Sequence, residues 1–334
     1  MPSKQHTGSL VVVACCLMLA TLLIYPGEGM CQFPERPVTI IVGNEAGGTA
    51  DLITRALVIG TEKYVGEPIV VENKGGGGGG VALGAVATAK PDGYTLCAVP
   101  NDALVNTALM QKHPFKPLKA FVPILGHSAS LNTALLVKSD APWKTIQEFL
   151  DYAKKNPGKV KYSSAGVGTG MHTAMEFIAH QDGIKWVHVP FKGTAPARTA
   201  LLGGHVDACS SGVDWQPFVL SGQLRVLVTH GTTRLPNFPN VPTMKELGYD
   251  FVNEAIHGIV GPAGMPADVL KKLEAALTKG TETVEFKTTQ EKLSLTPVFY
   301  GSADWQRHLK AHWVKIEKIF KETGIIKEAA TEPY

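Results

Sequence analysis

The chain is 334 residues long, 44% hydrophobic and 18% charged, with a formal net charge of +3. That is enough for two ordinary domains, and both signs of charge are spread along the sequence with no basic block of the kind that tracks nucleic acid. The five cysteines show no zinc-like pairing, so neither a metal module nor a nucleic-acid partner is expected.

The N-terminus stands apart from the rest. Lys4 precedes an uncharged apolar run from Leu10 to Ile24, followed by Pro26 and the small residues Gly27 and Gly29. This is the order of a secretory signal peptide, and the run is shorter than the roughly 20 apolar residues that span a bilayer comfortably. Residues 1–29 are therefore read as a cleaved signal, the mature chain as starting close to Met30, and its destination as the periplasm. Cys31 follows Glu28-Gly29-Met30, which lacks the small-residue pattern of a lipid-attachment site, so no lipid anchor is expected. Cys97 and Cys209 lie in strand-like contexts and read as small buried hydrophobes.

From Val38 the sequence alternates β-branched runs with helical ones. Val38 to Val42 predicts a strand, Asp51 to Tyr64 a helix, Glu67 to Glu72 a strand, Val81 to Ala89 a helix and Tyr94 to Val99 a strand. An apolar stretch from Phe121 to Leu125 and a strand over Thr133 to Val137 lead into a second set. There Thr145 to Asn156 is an amphipathic helix, Val160 to Ser163 a strand, Gly170 to Gln181 a helix, Trp186 to Pro190 a strand and Ala195 to Leu202 a helix. Strands at Val206 to Cys209, Leu224 to Thr229 and Ile256 to Val260 follow, and long helices over Ala267 to Lys279 and Trp305 to Glu322 close the chain. The rhythm is that of α/β lobes with mostly parallel sheets flanked by helices. The chain is expected to cross between lobes near residues 127–132 and 250–256. This gives a discontinuous first lobe, 30–129 with 252–334, and a second lobe, 130–251. Loops at strand C-terminal ends would then face one cleft.

Two glycine-rich turns mark that cleft. Gly47-Gly48-Thr49-Ala50-Asp51 and the run Gly75 to Gly80 each follow a strand and open a helix, where free backbone N–H groups bind anions. In the second set Ser163, Ser164, Ala165, Gly168 and Thr169 form the counterpart loop, and Phe191-Lys192-Gly193-Thr194 makes another strand-to-helix turn. Asp51 sits where it would repel a ligand carboxylate, so it is expected to organise its loop, pairing with Arg55 at i,i+4. His172, one turn into its helix, either contacts the ligand or caps the loop. Lys192 reads as a solvated charge, with the Gly193 and Thr194 N–H groups as better contacts. The glycine run could suggest a dinucleotide fingerprint, but Asp92 lies in a Pro-Asp-Gly turn before the next strand instead of closing it, so no cofactor is expected.

Phe33-Pro34-Glu35-Arg36-Pro37-Val38, the Gly47 to Asp51 turn, Val71-Glu72-Asn73-Lys74 before the glycines and Lys90-Pro91-Asp92-Gly93-Tyr94-Thr95 resemble the extracytoplasmic solute-binding proteins of tripartite tricarboxylate transporters, the Bug or TctC family. The resemblance continues through Tyr162 to His172, Val189 to Thr194, Leu201 to Asp207 and Val241 to Gly248. It implies a type II two-lobed periplasmic-binding-protein fold, expected to be a monomer, that closes on a small organic carboxylate and delivers it to membrane permease subunits. A periplasmic sensor presenting the ligand to a signalling receptor is the alternative. Enzyme signatures such as Gly-x-Ser-x-Gly or His-Glu-x-x-His are absent from the sequence, and no catalytic residue is assigned. The ligand-contacting set implied by the resemblance comprises the turns already named, from Asn44, Glu45, Ala46 and Gly47 through Gly77 and Gly78 to Thr194, together with Asn101 and Asp214. Where the family commonly carries a Pro-aromatic-Pro segment, this chain has Gly43-Asn44-Glu45-Ala46. Glu45 either meets a ligand donor or points to water. A polar wall desolvated against an apolar ligand body would cost on the order of 1–3 kcal/mol unless hydrogen-bonded. Asn44→Phe is therefore expected to shift preference toward apolar or aromatic acids, read as the affinity ratio of a hydroxylated acid to its unsubstituted parent in both proteins.

Overall fold

The computed structural model describes residues 33–251 and 254–334. The expected signal peptide and Cys31 lie outside the described residues. In the first lobe β1 (Val38–Val42), α1 (Thr49–Val65), β2 (Ile69–Asn73), α2 (Gly80–Ala87) and β3 (Thr95–Pro100) follow in the expected order. Three short helices that the periodicity did not announce, α3 (Asn101–Leu104), α4 (Asn106–Met110) and α5 (Pro117–Ala120), then lead to the long strand β4 (Phe121–Ser130). The second lobe holds β5 (Ala134–Lys138), α6 (Ile146–Lys155), β6 (Lys161–Ser164), α7 (Gly170–Asp182), β7 (Val187–Pro190), α8 (Thr194–Leu202), β8 (Ala208–Ser211), α9 (Gln216–Leu220) and β9 (Leu224–Thr229). The chain returns through β10 (Ala255–Pro262), α10 (Ala267–Thr281), α11 (Val284–Lys292), β11 (Thr296–Gly301) and α12 (Ser302–Glu322).

The strands form two sheets, in the orders β11-β4-β10-β3-β1-β2 and β7-β6-β8-β5-β9. Both are mixed, which corrects the expectation of mostly parallel sheets. The βαβ units pair in parallel, β1 with β2 and β3, and β6 with β7 and β8. The strands next to the lobe crossings run the other way. β10 is antiparallel to both β3 and β4, and β5 is antiparallel to both β8 and β9. The physical reason is connectivity: parallel neighbours need a helical crossover, whereas a strand arriving from the other lobe enters at the far end and pairs antiparallel. β11 was not foreseen because its residues alternate no apolar face, and its burial runs from exposed to half-buried.

Local signals explain the helix ends. α6 starts in a capping box, Thr145 Oγ1 accepting the Glu148 N–H while Glu148 accepts the Thr145 N–H, and its buried residues Ile146, Phe149, Leu150 and Ala153 share one face. The main core runs from Ile41, Leu83 and Val99 in the first lobe to Phe149, Tyr162 and Phe177 in the second. Phe251 stacks on Phe177 and meets Phe320 at a tilt, tying α7 to the end of α12. Cys97 and Cys209 are fully buried free thiols, and burial pushes both well above the ordinary thiol range. Among the described residues no helix is long and apolar enough to cross a membrane.

Trp305 fixes the crossing strands. Its ring is fully buried against Gly126 of β4 and Gly258 of β10, where a Cβ on Gly258 would run into the indole. Removing the ring leaves a cavity under both strands at once. Trp305→Ala is expected to lower unfolding free energy by about 3–5 kcal/mol in urea titration, and a loss under about 1 kcal/mol would show that the strands do not rest on it.

Candidate functional site

A small cavity of about 40 Å³ lies between the lobes. The first lobe contributes Asn44, the α1 start at Gly48, Thr49 and Ala50, Gly78 of the glycine run, and Pro100 and Asp102 beyond β3. The second contributes Thr169 and Met171 at the α7 start, Thr194 at the α8 start, and Gly212 after β8. Ser130, Thr133, Ala255 and His257 line it from the crossing segments. Three helices of 17, 13 and 9 residues thus aim their N-termini into one space. The first N–H groups of a helix have no acceptor within it, and the helix dipole adds positive potential there. Among the described lining residues there is no lysine or arginine.

Each lobe holds its half of the site rigid before any ligand is considered. In the first lobe Asp51 is buried, Oδ2 accepting the Gly47 N–H at 2.9 Å and Oδ1 accepting from Arg55 Nε and Asn73 Nδ2, both at 2.9 Å. Asn73 Nδ2 also donates to the Asn44 carbonyl at 2.9 Å. Asp51 therefore organises the loop and faces its own arginine, the two roles the sequence suggested for it. In the second lobe Thr169 caps α7, Oγ1 accepting the His172 N–H at 3.4 Å and donating to Gly166 O at 2.8 Å. Ser164 Oγ bonds the Gly166 backbone and His188 Nε2, and Ser163 Oγ donates to Ala197 O. The hydroxyls expected to serve as ligand donors thus already have partners, Thr169 within its loop, Ser164 in the loop and on β7, and Ser163 on α8 and β8.

The lobes meet through backbone. Glu45 N–H donates to Lys192 O at 2.8 Å, Gln111 Nε2 to Val167 O at 2.8 Å, and Gly170 N–H to Asp102 Oδ2 at 2.7 Å. Thr49 Oγ1 donates to Asp214 Oδ1 at 3.1 Å, and Arg198 pairs with the other oxygen of Asp214. Gly78 and Gly168 both have positive φ, and neither has room for a side chain. A Cβ on Gly78 would stand 2.6 Å from Val167 O, and one on Gly168 2.5 Å from Thr107 Cα. What the glycine run approaches closely is the opposite lobe.

Several sequence-predicted contacts stand outside the lining. Glu45 and Lys192 meet through their backbones, and the Lys192 residue is exposed. Ala46, Gly47 and Gly77 are exposed, while Ala165 and Gly193 are buried outside the cavity lining. Ser164 and Gly168 serve the loop, and Asp214 serves Arg198 and Thr49. Asn101 is a structural tie, its Oδ1 accepting the Ile256 N–H at 2.8 Å where β3 meets β10. Its neighbours Pro100 and Asp102 line the cavity instead, a placement that the rule of strand C-terminal ends could have found. Of the two roles left open for His172, the structure shows the loop cap: Nδ1 accepts the Gly168 N–H at 3.2 Å, and its ring packs on His188 at 4.1 Å.

A two-lobed α/β body with a cavity between the lobes, reached by helix N-termini and with no lysine or arginine among its described lining residues, fits a solute-binding protein. Comparison with known proteins agrees. Over residues 53–325 the chain matches the tripartite tricarboxylate transporter family receptor, TctC, and it belongs to that family. It is 37% identical over 328 residues to a UPF0065 protein in the gbd 5' region of Cupriavidus necator, covering 97% of this chain and 99% of that one. The structure of the periplasmic binding protein BugD superposes with a TM-score of 0.82 at 31% identity, covering 87% of this chain and 99% of that one. MatC from Rhodopseudomonas palustris with bound malate superposes with a TM-score of 0.80 at 27% identity, covering 86% and 99%.

The buried histidines around the site give the protein a defined response to acid. Burial, with His188 adding to it, holds His172 down at about 3, and burial holds His188 and His257 at about 4. Folded values below the ordinary 6.5 mean that the unfolded chain takes up protons first as pH falls. Their stabilising contribution is complete above pH 6.5 and is lost progressively toward pH 3–4. For His172 this amounts to about 2 kcal/mol between pH 7.5 and 5. His172→Asn keeps an acceptor for the Gly168 N–H but removes the titration, so its unfolding free energy is expected to fall less steeply over that range. Parallel pH profiles for the two proteins would be inconsistent with a neutral buried imidazole.

Proposed function

We propose that the protein is an extracytoplasmic solute receptor that captures a small organic carboxylate between its lobes and delivers it to the permease subunits of a tripartite tricarboxylate-type transporter. The observation that carries this reading is the convergence of the α1, α7 and α8 N-termini on one interlobe cavity with no lysine or arginine among its described lining residues. The malate bound in the related MatC supports the ligand class, and membership of a transporter receptor family supports delivery to a permease. In this reading residues 1–29 export the chain to the periplasm, residues 30–129 and 252–334 form one lobe and 130–251 the other, and the site binds without turnover.

A thermal-shift screen of mono-, di- and tricarboxylates, hydroxy acids and amino acids tests the ligand class. A ligand present at 100 times its dissociation constant adds about 2.7 kcal/mol of stability, so a binder raises the melting temperature by several degrees. The tight binder is then expected to reduce the radius of gyration in small-angle scattering. Uniformly flat melting curves would overturn the carboxylate reading, and a binder that leaves the scattering curve unchanged would overturn closure.

A further inference from the structure

The carboxylates around the cavity are not equivalent. Asp51 faces Arg55 and Asp214 faces Arg198, so each carries its own counter-charge. Asp102 is 1% exposed, lines the cavity, and makes no ion pair with a described residue. Its Oδ2 accepts the Gly170 N–H at 2.7 Å, which places an anionic group of the first lobe on the N-terminus of α7 in the second. Its Oδ1 is buried with no hydrogen-bond partner. The Ala103 and Asp102 N–H groups lie near enough to stabilise the charge, but burial outweighs them and pushes the carboxyl up to about 6, which leaves it mostly ionised at neutral pH.

The consequence for a ligand is a matter of charge count. One of the three helix N-termini is already occupied by Asp102, which leaves α1 and α8 for an incoming carboxylate. A plain carboxylic acid would then place a second anion near Asp102 in a cavity without lysine or arginine among its described lining residues. Like charges at short range and low dielectric repel strongly. A buried acceptor left without a donor carries its desolvation cost in full. A ligand with a positively charged nitrogen removes both penalties together, and a hydroxyl removes only the second.

We propose that Asp102 makes the cavity selective for amino-substituted carboxylates, the ligand carboxylate lying against the α1 and α8 N-termini and its ammonium pairing with Asp102 Oδ1. The proposal rests on the carboxylate reading above and narrows it to a zwitterion. It makes Asp102 a specificity determinant that no position-by-position reading of the glycine turns would supply.

Two matched sets separate the contributions: L-aspartate, L-malate and succinate, and L-alanine, L-lactate and propionate. Each set keeps the carbon skeleton and changes only the 2-substituent. Dissociation constants are measured by calorimetry at pH 7.5 for the wild type and for Asp102→Asn and Asp102→Ser, two variants of different size so that one misfolded protein does not end the test. In a set that binds, the amino acid is expected to bind at least tenfold tighter than the unsubstituted acid, with the hydroxy acid between them. Both variants should reduce that ratio to under threefold, largely by improving the unsubstituted acid. Equal affinity of amino and unsubstituted acids in the wild type overturns the proposal while leaving the carboxylate reading intact, as does a preference that survives both substitutions. If no acid of either set binds wild type or variants, the carboxylate reading itself fails for these small acids, and the proposal falls with it.

Discussion

For the proposed carboxylate receptor, holding an anion without a cationic side chain is the constraint on which the rest of this structure depends. Backbone N–H groups are weaker partners than a guanidinium, so several must point at one place and water must be kept away from them. No single lobe can do this, because each βαβ unit offers its helix start only at the edge of its own sheet. The lobes must therefore approach until backbone touches backbone. At Gly78 and Gly168 that approach leaves no space for a methyl group, and both residues hold a left-handed backbone that side chains disfavour. Closure and anion binding are one geometric requirement.

The interlobe hydrogen bonds set the scale of the conformational balance. Those at Glu45, Gln111, Thr49 and Gly170 each contribute on the order of 0.5–1.5 kcal/mol net. Against them stands the freedom of two lobes joined by the crossing strands. A sum of a few kcal/mol is small enough for a ligand with differential affinity to shift the equilibrium between open and closed forms. Three of these four bonds use a backbone N–H or carbonyl on at least one side, so they report lobe position more than side-chain identity.

The parts of the architecture visible in the sequence were those with local causes. Alternation of β-branched and helical runs located most strands of both sheets, and the glycine-rich turns located the starts of the helices they open. Asp51 was legible because its partner Arg55 lies one turn away. Contacts set by distant chain segments were not legible. Nothing near Asn101 signals that it ties β3 to Ile256, 155 positions on, while Asp102 turns toward Gly170, 68 positions on. The hydroxyls of Ser163, Ser164 and Thr169 looked like ligand donors because they are small, polar and beside glycines. Those same properties suit them to bonding nearby backbone and side chains, and Thr169 and Ser164 bond Gly166 in their own loop while Ser163 bonds Ala197 in α8.

That internal bonding bears on how the site can work. The Asp51, Arg55 and Asn73 network holds the first half-site in place, and Thr169, Ser164 and His172 hold the second. A half-site built this way loses little conformational entropy when a ligand arrives, since its rotamers and loop are already fixed. If the lobes close on the ligand as proposed, the ordering cost of binding would fall on that closure and on the ligand. Selectivity follows a different logic, because the rigid turns offer nearly the same donors to any carboxylate. Discrimination has to come from residues that reach the cavity without a partner of their own. Asn44 supplies an amide on one wall, and Asp102 supplies a buried oxygen with no donor. In the proposed reading the glycine turns would fix the kind of anion group that is held, and these two side chains would decide what else the ligand must carry.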